Sequence, residues 1–339
     1  MKREDRPRRG WRHFAVSMFT AGFLAMVLTG MPLAAYAAGP APYPNRPIRL
    51  IVPFTAGNQL DVFARLVGDR LAESLGQPVL VENRPGVSGN AASEAVAKAP
   101  PDGYTLLVSG VLITLLPHTY GARAVDPVAS FAPITRLAQQ PIVIAVNASL
   151  NVNSLSDLIA LARREPGKIA YATSGVGTAQ HVTMTMLSQR AGVELLHVPY
   201  ANSGQLIGDV LAGNVPVAMS FPGTVEPHLA TGRLKALAVT SAHRATAWPD
   251  VPTVAESGFP GFEVQSWAGV LAPAGTPPEI IDSLHREIVR ILNIPEVRNA
   301  FLAQSAEPVG NTPEEFAAEI KQSVARWAPV VKAAGIRVN

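Results

Sequence analysis

Two glycine-containing loops carry residue types that bind anions. The first reads PFTAGNQLD and lies between an apolar run and a segment with helical spacing. Gly57 and Asn58 tolerate positive φ angles, so consecutive backbone N–H groups there can turn toward an anion. The alternative is a plain strand-to-helix turn in which Asp61 is a favourable charge early in the helix.

The second loop reads YATSGVGTAQH and also joins a predicted strand to a predicted helix. Gly175 and Gly177, with the flanking hydroxyls of Ser174 and Thr178, can surround an anion with N–H and O–H donors. The loop lacks the third glycine of a dinucleotide fingerprint and the Lys-Ser/Thr of a P-loop, which disfavours a nucleotide enzyme. His181 can face the same crevice, although packing or capping is the more common role of a helix histidine.

Motifs for covalent or metal chemistry are missing. Ser174 does not lie in a G-x-S-x-G elbow, there is no cysteine, and the seven histidines show no metal-ligand spacing. The sequence therefore predicts no catalytic residue, no metal and no cofactor, and it favours binding without catalysis. Because triads assemble in space, a secreted hydrolase using Ser174 with His181 stays open as an alternative.

Alternating strand and helix patterns position these loops. An apolar run at 48–54 precedes apolar residues at helical spacing over 60–75, which predicts strand, loop and helix. Further predicted strands are 78–81, 104–109, 141–146, 168–171, 195–199, 216–220, 234–240 and 263–271. Further predicted helices are 90–99, 154–165, 180–191, 205–212, 277–292 and one after residue 312. The fold class is α/β, with parallel sheets covered by helices on both faces and ligand loops at the carboxyl ends of strands.

Three helix starts are predicted from their caps, and the first is Ser154-Leu155-Ser156-Asp157 at the helix over 154–165, which resembles a capping box. Thr276 is expected as the N-cap of the helix at 277–292, with Pro277 at the favoured first position. The segment Thr312-Pro313-Glu314-Glu315 predicts a capping box.

The chain of 339 residues predicts about two domains, with no linker that cuts it once. If the chain crosses between two lobes more than once, the crossings are expected near 131–146 and 261–273. The predicted lobes are residues 38–140 together with 264–339, and residues 141–263.

The first 37 residues have the order of an export signal. A basic segment precedes a largely apolar stretch at 14–33, and Ala35-Tyr36-Ala37 supplies a small-x-small cleavage pattern. An uncleaved membrane anchor is the alternative, although Gly22, Gly30 and Pro32 weaken the run as a spanning helix. We expect cleavage after Ala37 and a mature protein outside the cytoplasm, with the choice between Sec and twin-arginine export left open.

The basic charge belongs to this leader. The chain has 28 Lys and Arg against 25 Asp and Glu, but six of the basic residues and only two of the acidic ones fall in residues 1–37. The rest is close to neutral, which argues against a nucleic-acid partner.

From Tyr43 to the C-terminus, the chain resembles the substrate-binding proteins of tripartite tricarboxylate transporters, also called the Bug family. The matching segments in the first half are YPxRPI from Tyr43, VPF, DVFAR (61–65), GQPVLVENRPG (76–86), GN (89–90) and EAVAKAPPDGYTLL (94–107). Those in the second half are YATSGVGTAQH (171–181), VPY (198–200), GRLKALAVTS (232–241), PDVPTVAESGFPGFEV (249–264), LAPAGTP (271–277) and AEPVGNTPEEFA (306–317).

This resemblance implies a two-lobed periplasmic binding protein (Venus flytrap), with a mixed, mostly parallel sheet in each lobe. It implies a non-enzymatic receptor that closes on a small carboxylate and delivers it to membrane permease subunits, and we expect a monomer. Carried onto this chain, together with two polar residues at strand ends, it predicts the ligand-binding set Phe54, Thr55, Gly57, Asn58, Asp61, Ser109, Ser174, Gly175, Gly177, Thr178, His181 and Tyr200.

The chain departs from the family pattern at two places. The first loop keeps one glycine where the family usually has a proline-rich, double-glycine version, which leaves the identity of the carboxylate open. The turn Gly213-Asn214-Val215-Pro216 replaces the usual Gly-Gln-Val-Asp, which leaves transport open. An extracytoplasmic sensing partner of a membrane signalling protein is therefore the alternative function.

Overall fold

Eleven strands and ten α-helices form the described part of the chain, which is residues 43–86, 89–200, 203–246 and 248–336 of a computed structural model. The strands are β1 (Ile48–Val52), β2 (Val79–Asn83), β3 (Thr105–Gly110), β4 (Phe131–Pro141), β5 (Val143–Asn147), β6 (Ala170–Thr173), β7 (Leu196–Pro199), β8 (Val217–Ser220), β9 (Leu234–Val239), β10 (Gln265–Pro273) and β11 (Glu307–Pro308). The helices are α1 (Gln59–Leu75), α2 (Asn90–Ala97), α3 (Leu116–Thr119), α4 (Leu155–Arg164), α5 (Ala179–Ala191), α6 (Ser203–Ala212), α7 (Pro222–Leu229), α8 (Pro278–Leu292), α9 (Pro295–Ala303) and α10 (Pro313–Ala334). The predicted export signal at residues 1–37 lies outside the described residues.

The first sheet has the strand order β11-β4-β10-β3-β1-β2. β1 lies between parallel neighbours, and its apolar residues are buried because both faces of the sheet are covered. Phe63, Val67 and Leu71 recur every four residues on α1, and all three are buried in the same hydrophobic cluster as β1 residues. This packing fixes the start of α1, and with it the first glycine loop, at the carboxyl end of β1.

The second sheet has the order β7-β6-β8-β5-β9. β6 runs parallel to β7 and β8, and it leads directly into the second glycine loop and α5. Thr178 caps α5 by accepting a hydrogen bond from the backbone N–H of His181 at 3.4 Å. The second loop therefore occupies the same place in its sheet as the first loop does in the other.

The sheets are more evenly mixed than the sequence predicted. β4, β10 and β11 pair antiparallel in the first sheet, and β5 pairs antiparallel with β8 and β9 in the second. The prediction missed β4 because its segment was interpreted as a crossing between lobes. Strands that enter a sheet from such a crossing need no helical crossover, so they can run antiparallel to their neighbours.

The chain crosses between the sheets where β4 gives way to β5 and where the segment after β9 leads into β10. Thr240 joins these crossings: its hydroxyl accepts from the N–H of Ile142 at 2.9 Å and donates to the carbonyl of Val264 at 2.7 Å. Both crossings lie within the ranges expected from the sequence. The exact lobe boundaries, 38–140 with 264–339 and 141–263, stay a prediction.

One hydrophobic cluster is shared by the two sheets. It contains Leu107 from the first sheet, Val217 from the second, and Phe316 and Trp327 from α10. The buried indole N–H of Trp327 donates to the hydroxyl of Thr114 at 3.1 Å, so its polar atom is satisfied. The C-terminal helix thus anchors against the core that both sheets build.

The helix ends test the cap predictions, and the cap at Ser154 is confirmed, since its hydroxyl accepts from the N–H of Asp157 at 3.1 Å. The capping box at Thr312 is confirmed, with side-chain bonds in both directions between Thr312 and Glu315. The cap at Thr276 is wrong by one residue: Pro277 is the N-cap, because the Thr276 hydroxyl donates to the carbonyl of Pro273 instead. Helices α7 and α9 were not predicted, and each begins with proline at its first position. None of the helices in the described ranges is long and apolar enough to span a membrane.

Candidate functional site

A cavity of about 840 Å³ lies between the two sheets. Its first wall carries the start of α1, the turn after β3, parts of β4 and β10, and the segment after α9. Its opposite wall carries the second glycine loop and the starts of α5, α6 and α7. Six residues of the predicted set line it, four from the first loop and two from the second: Phe54, Thr55, Gly57, Asn58, Ser174 and Thr178.

The cavity is polar without being charged. Among the described residues that line it, there is no Asp, Glu, Lys, Arg or His. Positive potential therefore comes from helix ends, where backbone N–H groups lack intrahelical partners. Gln59 on α1 and Ala179 and Gln180 on α5 carry backbone N–H groups of this kind, and all three residues line the cavity. An anion here meets main-chain donors from both walls.

The first loop is held from behind by Asp61. The N–H of Gly57, at φ 81°, donates to Oδ2 of Asp61 at 2.8 Å, and the amide of Asn83 donates to Oδ1 at 2.9 Å. Burial by itself raises the pKa of Asp61, but hydrogen bonds from Arg65, Gly57 and Asn83 together lower it. Asp61 is only 3% exposed and does not line the cavity, so its charged carboxylate positions the loop.

The second loop is held in the same way by His181. The N–H of Gly177, at φ 75°, donates to Nδ1 of His181 at 3.1 Å. The His181 ring stacks on His197 with centroids 3.7 Å apart and an angle of 7°. Burial lowers the pKa of His181 to about 4, so the ring is neutral at pH 7 and Nδ1 accepts a hydrogen bond. His181 lies behind the loop and not on the cavity wall.

These contacts change which N–H groups can meet a ligand. The sequence predicted that glycine N–H groups turn toward an anion, but those of Gly57 and Gly177 are bonded inward to Asp61 and His181. In both loops the acceptor is the third residue of the helix and follows the glycine by four positions. The patterns G-N-Q-L-D and G-T-A-Q-H were the signal for this arrangement. The lining residues whose N–H groups lack a partner within their helix are instead Gln59, Ala179 and Gln180, at the helix starts that follow the two glycines.

Three other residues of the predicted set lie away from the cavity wall. Ser109 lines a separate void of about 10 Å³. The Tyr200 hydroxyl donates to Asp209 Oδ2 at 2.8 Å and does not line the large cavity. The N–H of Gly175 donates to the hydroxyl of Thr173, so it shapes the loop from within.

Several glutamines on the wall were not predicted. Gln59 and Gln140 exchange two amide hydrogen bonds, with N–O distances of 2.9 and 2.5 Å. Gln140 lies at the end of β4, where the sequence was interpreted as a crossing, and Gln180 stands within the second loop's motif. Trp267 and Phe221 add aromatic surface to the wall. Nothing in the spacing of these residues pointed to a common cavity.

The geometry gives no support to a serine hydrolase. Nδ1 of His181 is engaged by Gly177, and Ser174 forms no hydrogen bond to any described histidine or carboxylate. Within the described ranges, no group of three His, Cys, Asp or Glu residues is arranged to hold a metal ion. What the cavity offers is hydrogen bonding to a bound molecule.

Comparison with known proteins points to one family. The model of the tripartite tricarboxylate transporter family receptor matches residues 63–336. Protein BugT of Bordetella pertussis is 38% identical over 303 residues, which is 88% of this chain and 92% of BugT.

Solved structures agree with this match. The R. palustris protein Rpa4515, solved with adipate, is 36% identical with a TM-score of 0.77, over 87% of this chain and all of that one. The periplasmic binding protein BugD is 34% identical with a TM-score of 0.75, again over 87% of this chain and all of BugD. Both are similar to this chain through their whole length.

Proposed function

Because the chain belongs to the tripartite tricarboxylate transporter receptor family of periplasmic solute-binding proteins, we propose that it captures a small carboxylate in the cavity between its sheets. We further propose that it delivers this solute to the membrane permease subunits of a tripartite tricarboxylate-type transporter. The observation that carries the first proposal is the placement of two helix N-termini on opposite walls of one uncharged cavity.

Helix N-termini suit an anion because they present N–H donors and a partial positive charge of about half an elementary unit. In a cavity without lysine or arginine on its described wall, these donors are the means by which a carboxylate exchanges its hydration for protein hydrogen bonds. The amide of Asn58 on the first wall and the hydroxyl of Ser174 on the opposite wall line the cavity beside these donors. A similar protein, Rpa4515, was solved with adipate, which supports a carboxylate as the ligand.

Capture is proposed to favour a closed arrangement of the lobes. An anion bonded only to α1 or only to α5 keeps half of its contacts with solvent, whereas one bonded to both gains donors from each wall. The ligand therefore shifts the protein toward the closed form, because its affinity for the closed form is higher than its affinity for the open form. The crossing segments held by Thr240 are the natural place for such a movement.

Location and export follow the family. The family places the mature protein in the periplasm, and we propose that residues 1–37 are the export signal that is removed on the way. Because both walls of the cavity come from one chain, we propose that the receptor acts as a monomer.

A thermal-shift screen tests the binding function. The panel contains mono-, di- and tricarboxylates, aromatic acids and acidic amino acids, each with its neutral amide as the matched control. A true ligand at a hundred times its Kd adds about 2.7 kcal/mol to the free energy of unfolding. A rise in melting temperature with an acid and none with its amide supports the proposal. No rise with any acid of the panel contradicts it.

A further inference from the structure

Gln180 is a buried amide without a protein partner. Its side chain lines the cavity and the residue is only 5% exposed, yet its carboxamide forms no hydrogen bond with any described residue. Its amide atoms are not among the buried polar atoms that have neither solvent contact nor a hydrogen-bond partner. The amide therefore opens into the cavity and is available to whatever occupies it.

The neighbouring glutamines behave differently. Gln140 is equally buried, at 4% exposure, but it exchanges two hydrogen bonds with Gln59. Their amides are satisfied before a ligand arrives. Since a buried amide without a partner is unfavourable, Gln180 gains most from a bound molecule that supplies the missing hydrogen bond.

Gln180 also differs from these glutamines in its position near the start of α5. Thr178 is the N-cap of α5, so Gln180 is the second helical residue and carries a free backbone N–H beside its free side chain. Helix energetics favour an acidic residue at this place. The chain has instead the neutral amide of the same shape, which can donate to an anion where a carboxylate would repel it.

We propose that Gln180 contacts the ligand directly and sets the charge that the cavity accepts, its carboxamide donating to a carboxylate oxygen of the bound molecule. This inference rests on the proposed carboxylate-binding function. It assigns to one side chain a direct hydrogen bond to the anion, beside the main-chain donors of the two helix ends.

The experiment compares three variants with the wild-type protein by isothermal titration calorimetry. Gln180→Glu introduces a like charge, and Gln180→Met removes the hydrogen bond while keeping the length of the side chain. Gln189→Glu is the matched control, because it makes the same charge change at an exposed position on the same helix. The probes are adipate, malate and benzoate, with adipamide and benzamide as neutral counterparts, and melting without ligand checks that each variant folds.

We expect Gln180→Glu to weaken binding of the carboxylate probe by about a hundredfold and Gln180→Met by about tenfold, following the loss of a charge-assisted hydrogen bond. Gln189→Glu should stay near the wild-type affinity. If the wild-type protein binds a carboxylate and both Gln180 variants match the control, the role of Gln180 is overturned while the binding function stands. If the wild-type protein binds none of the carboxylates, both proposals fall.

Discussion

The backbone N–H of Gly177 donates to Nδ1 of His181, four residues further on, at 3.1 Å. The N–H of Gly57 makes the equivalent bond to the carboxylate of Asp61 at 2.8 Å. Each bond closes a loop onto the third residue of the helix that follows it. The two loops are therefore shaped before a ligand arrives, and their helix ends are already turned to one cavity.

Acidification should weaken the second loop through its histidine pair. Burial lowers the pKa of His181 to about 4, and burial together with the neighbouring His181 lowers the pKa of His197 to about 4. An unfolded histidine titrates near 6.5, so the unfolded chain binds more protons between these values. Stability is therefore fully present above about pH 6.5 and is lost as the pH falls toward 4. Urea unfolding across this window measures the slope.

His181→Asn provides the comparison for that slope. The amide oxygen can still accept from Gly177 but does not titrate in this range, so the loss of stability should be shallower than in the wild-type protein. His243→Asn, at an exposed histidine, should keep the wild-type slope. An unchanged slope in His181→Asn would show that the stacked pair does not control acid stability.

Removing the Asp61 carboxylate should cost both stability and affinity. Asp61→Ala leaves the N–H of Gly57 and the amide of Asn83 without their acceptor, at a cost of about 2 kcal/mol. Ligand affinity should fall about tenfold, because the loop then has to be ordered on binding. Asp61→Asn keeps one acceptor oxygen and should lose less on both counts. Equal affinity in all three proteins would remove Asp61 from the positioning of the loop.

The amide pair of Gln59 and Gln140 should show coupling in a double-mutant cycle. Each alanine variant leaves the other amide unpaired, so the two single losses should exceed the double loss by about 1 kcal/mol. Urea unfolding of the two single variants and the double variant measures this. Additive losses would mean that the pair does not stabilise the cavity wall.

A bulky residue at Gly177 should damage binding more than folding. Gly177 has φ 75°, and a β-branched side chain there is strained by about 1–3 kcal/mol. Gly213→Val is the matched control, because Gly213 has φ 80° with open space around its missing side chain and lies outside both glycine loops. Both variants should lose similar stability, but only Gly177→Val should lose ligand affinity. Equal affinities would reject the second loop as part of the site.

The sequence predicted the strands and helices better than the hydrogen bonds of the candidate site. Apolar runs such as 48–54 and helical spacing such as 60–75 reflect burial along one segment, so β1 and α1 were found nearly in full. β4 was missed because its segment was interpreted as a connection between lobes. The partners of Gly57 and Gly177 were missed because the four-residue spacing shared by the two loops places an acceptor near each glycine, but the rotamer that closes the hydrogen bond is set by packing.

Residues brought together by the fold were also beyond sequence reasoning. Gln140 and Gln59 are 81 positions apart and meet only because β4 returns to the start of α1. Ser109 and Tyr200 stand at strand ends as predicted, yet Ser109 lines a separate small void and the Tyr200 hydroxyl donates to Asp209. The resemblance to the family located the two loops, and the structure decided which of their atoms face the cavity.

A crystal structure with the carboxylate that gives the largest thermal shift tests the central claim most directly. We predict density for its carboxylate between the starts of α1 and α5, within hydrogen-bonding distance of the backbone nitrogens of Gln59 and Gln180. Density outside the cavity, or a carboxylate turned away from both helix ends, would contradict the account.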